Sequence, residues 1–228
     1  MSTLYAIPTP LGGSAADALP ASALLIVRSL RDFAVENAKS ARAFLKSAGC
    51  DPKEVRIQVL DDRASVHALL EPVRRNMPLG LLSEAGCPAI ADPGARLVDA
   101  AHREGIRVVP LVGPSSIVLA LMASGLEGQR FAFCGYLPRE AKERRMKIGE
   151  IQARSRRERE TQIFIETPYR NDVLLGALLE ECSPGTILCI ASDLTLPSEF
   201  VKTKSIADWR KRQRSIGKHP TVFLLLAQ

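Results

Sequence analysis

The 228-residue sequence is short of aromatic side chains, which make up 5% of the chain, and holds only 3 histidines and 5 cysteines. The histidines, His67, His102 and His219, are scattered, no H-e-x-x-H run occurs, and no metal centre is expected from them. Cys50, Cys87, Cys134, Cys182 and Cys189 are odd in number and never fall in a C-x-x-C pair, which speaks against a disulfide framework and against a structural zinc site. Most of them read as small core hydrophobes. Long hydrophobic runs are also missing: Ser116 to Ala123 and Val222 to Ala227 fall far short of the roughly 18 residues a membrane-spanning helix needs. Met1 to Ile7 lacks the basic start and apolar core of a signal peptide and reads as a strand, so a soluble, cytoplasmic protein without membrane attachment is expected. No loop reads G-x-G-x-x-G after the first strand or G-x-x-x-x-G-K-[ST], which removes support for hydride transfer on a dinucleotide fold and for a P-loop nucleotidase.

What is present is the balance of a globular chain, 46% hydrophobic and 25% charged, with a net charge of +6 that would attract a polyanion. Short β-branched or apolar runs alternate with helix-length amphipathic stretches. Strands are expected at Thr3 to Ile7, Asp32 to Val35, Val55 to Leu60, Leu79 to Leu82 and Ile106 to Leu111, and the alternation predicts a mainly parallel sheet covered by helices. Helices are expected at Arg63 to Arg75 and Ala95 to Arg103, the second opened by Asp92-Pro93-Gly94 and closed by Gly105. The same alternation resumes with strands at Phe131 to Tyr136, Gln162 to Glu166, near Thr186 to Ala191, Phe200 to Lys204 and Thr221 to Leu226, around the charged Arg139 to Arg159 and a helix at Asn171 to Glu181. Two α/β domains are therefore expected, residues 1–125 and 126–228, jointed where Ser124-Gly125-Leu126-Glu127-Gly128 ends the helix Ser115 to Ala123.

Chemistry concentrates in three loops that each follow a first-domain strand: Pro8 to Gly13, Ser83 to Gly94, and Val112 to Ser116. All three fall at the carboxyl edge of one sheet, where glycines let backbone approach a ligand and helix N-termini present free N–H groups, an arrangement suited to a nucleoside-like ligand. Glu36 and Glu84, at the ends of the second and fourth strands, are the first candidates for a general base, with Glu166 and Asp193 behind them; each of the four could equally cap a helix or pair with a cation. Arg170, at a helix start, and the cations of Arg139 to Arg159, Arg144 and Arg145 among them, could meet phosphates, although Glu140, Glu143, Glu150, Glu158 and Glu160 allow local pairing that makes a solvated helix face an equal reading. With so few aromatics, extensive base stacking is not suggested.

The Pro8 to Gly13 loop, the Ser83 to Gly94 stretch, Gly113-Pro114-Ser115-Ser116, Gly135-Tyr136-Leu137-Pro138, Glu166-Thr167-Pro168-Tyr169-Arg170 and Asp193-Leu194-Thr195 with Glu199 together resemble, in that order, the small-subunit rRNA (cytidine-2′-O)-methyltransferase branch of the tetrapyrrole methylase superfamily. The chain departs from that branch at Asn37, Ala38 and Lys39 after Glu36, and in having Ser83-Glu84 at the head of the second loop. The resemblance implies two α/β domains with a cleft between them for S-adenosylmethionine, a methyltransferase acting on RNA of the small ribosomal subunit, and a homodimer. It implies cofactor contacts at Leu11, Gly86, Cys87, Ile90, Ser116 and Ile117, and in the second domain at Thr167, Pro168, Leu194 and Pro220. Two other readings stay open: C-methylation of a tetrapyrrole on the same fold, and a cofactor-binding module that has lost catalysis.

Overall fold

In the computed structural model, which describes residues 3–61, 65–211 and 215–228, the chain divides into two units, Met1–Ser115 and Ser116–Gln228, each with its own sheet and core. The expected start of a helix at Arg63 lies outside the described residues.

The first unit carries β1 (Thr3–Ile7), β2 (Asp32–Val35), β3 (Arg56–Val59), β4 (Leu79–Leu82) and β5 (Arg107–Pro110). They form one five-stranded sheet in the order β3-β2-β4-β1-β5, and all four pairings are parallel. β2 and β4 are buried throughout, as the inner strands of a two-sided parallel sheet are; β4 is apolar along its length, and the one charged residue of β2, Asp32, is paired with Arg56 of β3 at 2.7 Å. Helices α1 (Ala15–Ala18), α2 (Ala21–Ser29) and α3 (Ala38–Ser47) connect the early strands. Later come α4 (Val66–Leu69), α5 (Glu71–Arg74) and α6 (Gly94–Arg103). One core joins Ile7, Leu24, Phe33, Phe44 and Leu45, and a second joins Leu4, Leu70, Val73, Leu81 and Leu97. The single helix expected over residues 63–75 is two short ones, because Leu70 ends α4 and Pro72 can occupy only the first turn of a new helix.

The second unit begins with α7 (Ser116–Ser124), then β6 (Phe131–Tyr136), α8 (Ala141–Glu158), β7 (Thr161–Glu166), a 3-10 turn at Pro168–Arg170, α9 (Asn171–Glu181), β8 (Ile187–Ser192), β9 (Phe200–Ser205), α10 (Ile206–Lys211) and β10 (Thr221–Leu226). The sequence placed the joint after α7, near residue 125; in the structure α7 packs on β8, β9 and β10, and Thr203 Oγ1 donates to Ser124 O at 2.7 Å, so the unit starts at Ser116. Its sheet runs β6-β7-β10-β8-β9 and is mixed: β6 and β7 are parallel, while β10 lies antiparallel between β7 and β8, and β9 antiparallel beside β8. Ile148, Ile151, Phe164, Leu178, Trp209 and Phe223 share its core. No helix among the described residues is long and apolar enough to cross a membrane.

Candidate functional site

In the first unit the three glycine-rich and proline-rich loops meet at the carboxyl ends of β1, β4 and β5. Thr9 and Gly86 exchange backbone hydrogen bonds in both directions, at 2.9 and 3.0 Å, tying the first loop to the second. Cys87 Sγ donates to Pro114 O at 3.4 Å, tying the second to the third. Gly113 packs so closely that a Cβ there would lie 2.5 Å from Pro8 Cβ and 2.8 Å from Leu19 Cδ2, which explains the glycine. Gly86 has φ +76°, a left-handed conformation in which its hydrogen faces Leu11 Cδ2 and Pro114 O, leaving a small cradle that a side chain would fill. Leu11, Gly86 and Cys87 are thus brought together, and Ile90 stands exposed on the same loop.

The second loop is strained. Ala89 and Ala91 sit at φ +67° and +63°, which costs roughly 1–2 kcal/mol per residue for an L side chain. Asp92 holds the turn: its Oδ1 accepts from Ala89 N at 2.8 Å and Gly94 N at 2.7 Å, and burial pushes its carboxyl above the ordinary range. In the sequence Asp92 is visible only as a helix-start signal; its part in shaping the loop depends on the left-handed alanines.

The two acidic candidates also converge. Glu36 Oε2 accepts from Glu84 N at 3.0 Å, joining the end of β2 to the end of β4. Burial raises the Glu36 carboxyl, the bond from Glu84 N partly offsets this, and the charges of Asp92 and Glu84 raise it further. Glu84 is exposed. Asn37 caps α3, its Oδ1 accepting from Lys39 N at 2.8 Å, so the departure at that position still satisfies the helix start.

In the second unit, antiparallel pairing sets Thr221 of β10 opposite both Glu166 at the end of β7 and Ser192 at the end of β8. Thr167, Pro168, Leu194 and Pro220 therefore share one edge of that sheet, and Asp193 N donates to Pro220 O at 3.0 Å. Side chains brace this edge heavily. Fully buried Asn171 donates from Nδ2 to Gly217 O at 3.1 Å and His219 O at 2.8 Å. Asp172 accepts from Ser215 Oγ at 2.7 Å and Ile216 N at 2.6 Å. Asp193, buried and left-handed at φ +52°, accepts from Ser198 Oγ at 2.8 Å and lies 2.7 Å from His219 Nδ1. A cavity of about 230 Å³ opens beside them, lined by Ser192, Asp193, Phe200, Trp209 and His219 among others.

The candidate cations differ in what they can reach. Arg144 is only 7% exposed, and its Nη1 donates to Arg139 O at 2.8 Å, so its guanidinium is turned into the fold. Arg145 is exposed and pairs with Glu180 and Glu181 on α9 at 3.3 and 3.2 Å. Arg170 Nη2 lies 3.0 Å from Glu166 Oε2, an ion pair with the buried carboxylate whose Oε1 accepts from Thr167 N at 2.8 Å. Ser116 and Ile117 open α7. Among the described residues no group of three or more His, Cys, Asp or Glu side chains is placed to hold a metal ion.

Comparison with known proteins identifies the family and the fold. The family model of the Tetrapyrrole (Corrin/Porphyrin) Methylases matches residues 10–209. The chain is 31% identical over 205 residues to the ribosomal RNA small subunit methyltransferase I of Vibrio cholerae, covering 90% of this chain and 69% of that protein. It is 29% identical over 225 residues to the protein of that name in Escherichia coli O157:H7, covering 97% and 77%. Among solved structures, diphthine synthase superposes with a TM-score of 0.70 at 18% identity, covering 99% of this chain and 90% of that one. Uroporphyrin-III-C-methyltransferase from Thermus thermophilus gives 0.60 at 19% identity, covering 99% and 94%. At those identities the likeness of the solved structures is one of fold.

Proposed function

The chain belongs to the Tetrapyrrole (Corrin/Porphyrin) Methylases, which makes it a methyltransferase, and from that premise we propose that it binds S-adenosylmethionine and methylates a ribose 2′-hydroxyl of small-subunit rRNA. The observation that carries the cofactor reading is the meeting of three loops around Gly86, whose missing side chain leaves a cradle between Leu11 and Pro114 O. Gly86, Cys87, Leu11 and Ile90 would hold the cofactor from the first unit, and Ser116, Ile117, Thr167, Pro168, Leu194 and Pro220 from the second. The names of the relatives support the RNA acceptor. A homodimer in the cytoplasm is the assembly and location that go with this reading.

Bound S-adenosylmethionine supplies a methyl group made electrophilic by its sulfonium. The chain's task is then to hold the acceptor oxygen in line with the carbon–sulfur bond at near-attack distance, which is a matter of rigid loops rather than of acid–base strength. The mutual ties of Thr9 with Gly86, Cys87 with Pro114 and Asp92 with Ala89 and Gly94 supply that rigidity. Transfer would make the bond from oxygen to the methyl carbon as the carbon–sulfur bond breaks and S-adenosylhomocysteine leaves, the hydroxyl proton would pass to a base, and Glu36 is the better candidate of the two carboxylates. Burial raises its carboxyl above the ordinary value, which makes it the stronger base, and general-base help of this kind is worth roughly 10²-fold, whereas Glu84 is exposed and donates its backbone N–H to Glu36. For phosphates the reading uses Arg170 and Arg145, because the Arg144 guanidinium points inward.

Incubation with S-adenosylmethionine tritiated on the methyl group and small ribosomal subunits prepared without this enzyme tests the proposal. Label recovered on a ribose of the RNA supports it. Label recovered only on an added tetrapyrrole would replace the acceptor, and bound cofactor without transfer to either would leave a binding module.

A further inference from the structure

We infer that Tyr169 and Lys218 form a platform on which one unstacked base of a single-stranded RNA segment lies, with Lys218 meeting its phosphate. The inference rests on the RNA reading of the preceding subsection and names the contact that reading lacks. Tyr169 is 78% exposed, yet it sits on the short 3-10 turn Pro168–Arg170, immediately after two residues assigned to the cofactor. The Lys218 ammonium lies 4.9 Å from the centroid of its ring.

A structural cation–π pair looks different in this same molecule. Lys204 lies 5.0 Å from the ring of Trp209, but that indole is only 3% exposed and donates from Nε1 to Leu188 O, so it belongs to the core. Tyr169 contributes almost nothing to the burial of apolar surface. An exposed ring with a cation above it is what stacking on a nucleobase and neutralising its phosphate require, since every base has a π face and the ammonium is a strongly hydrated point charge.

The segment that presents Lys218 is also held firmly for a surface loop. Asn171 binds Gly217 O and His219 O on either side of it, Asp172 binds Ser215 Oγ, Ile216 N and Gly217 N, and Asp193 lies against His219 Nδ1. Two residues at the start of α9 thus fix a loop more than forty positions along the chain, and the residue so placed is a lysine over the exposed ring. The low aromatic content argued against extensive stacking; a single well-placed ring is compatible with that count.

The test is fluorescence anisotropy of a labelled, unstructured pyrimidine oligoribonucleotide against the full chain, with titration of S-adenosylmethionine in parallel. Tyr169→Ala is expected to weaken RNA binding about 5- to 150-fold, the range for loss of one base–aromatic stack, while Tyr169→Phe stays within about twofold of the parent. Lys218→Gln is expected to lower the slope of log affinity against log salt by about 0.7, the value for one single-strand phosphate contact. Cofactor affinity should be unchanged in all three variants. RNA affinity unaltered in Tyr169→Ala overturns the platform alone. A weakened Tyr169→Ala whose parent fails to methylate small-subunit RNA keeps the platform and overturns the proposed acceptor. A parent that binds no oligoribonucleotide, or binds an acidic peptide through these residues instead, overturns the platform.

Discussion

The two units solve one problem, holding loops at the edge of a sheet, in opposite ways. In the first, a wholly parallel sheet brings three strand ends to one edge, and the loops there are shaped by backbone: glycines at close approach, left-handed Ala89 and Ala91, and main-chain bonds between Thr9 and Gly86. In the second, a mixed sheet brings the start of β10 between the ends of β7 and β8, and the edge is held by side chains, Asn171, Asp172 and Asp193 reaching across long stretches of sequence. A backbone-shaped loop leaves room for a ligand to lie against it. A side-chain-braced loop is suited to presenting groups outward, as it does with Lys218 and Tyr169.

That contrast should break most visibly at Gly86. Gly86→Val forces a β-branched side chain into left-handed backbone and fills the cradle beside Leu11, so S-adenosylmethionine affinity should fall more than about 100-fold, with roughly 1–2 kcal/mol lost from folding stability as well. Calorimetric titration checks the first quantity and urea unfolding the second.

Asn171→Ala attacks the other device. It leaves Gly217 O without its donor and His219 O with Thr221 Oγ1 alone in place of two, and a loss of about 1–3 kcal/mol confined to the second unit is expected. Amide hydrogen exchange should quicken in the described residues 215–221 and stay unchanged in β1 to β5. Uniform acceleration in both units would contradict the separation.

Asp172→Ala should cost less, about 0.5–1 kcal/mol, because the carboxylate is exposed to solvent. Its bonds from Ser215 Oγ, and then from Ile216 N and Gly217 N, hold its carboxyl below the ordinary value of 3.8. The sign follows: the contribution is fully present above that value and disappears as pH falls through the lower folded-state value, so parent and variant should converge in strong acid. A difference that persists there would place the effect elsewhere.

The smallest effect on folding stability is expected for Glu36→Gln. Burial raises this carboxyl above its ordinary 4.5, so the folded state favours the protonated form. Ionised Glu36 therefore weakens the fold at neutral pH and not below the unfolded-state value, and the glutamine should be slightly the more stable at neutral pH and equal to the parent in acid. Methyl transfer should drop roughly 10²-fold or more in the same variant if Glu36 accepts the proton.

Much of this architecture is legible in the residues themselves. Leu79 to Leu82 is a continuous apolar run of the kind a buried parallel strand needs, Phe33 to Val35 is another behind the buried Asp32, and the glycine–proline loops after the strands mark one edge of the sheet by their position. The joint falls at Ser116 rather than after α7 because that helix packs on the second sheet, and its largely apolar spacing carries no sign of which sheet receives it. The antiparallel entry of β10 between β7 and β8 is equally hidden, since strand order depends on pairing between residues far apart in sequence. In the site, Gly86, Leu11 and Cys87 converge as their loops suggest, whereas the braces from Asn171 and Asp172 have no local pattern: an Asn-Asp pair at a helix start reads only as a cap. Arg144 shows the same limit in reverse, one of several cations on a charged helix whose inward turn follows from the carbonyls of Pro138 and Arg139.

The most direct test of the central claim is isothermal titration of the purified chain with S-adenosylmethionine and S-adenosylhomocysteine, alongside Gly86→Val. The account predicts saturable binding of both ligands near one site per chain, abolished in the variant. No heat and no competition at millimolar ligand, or binding that survives Gly86→Val undiminished, would contradict it.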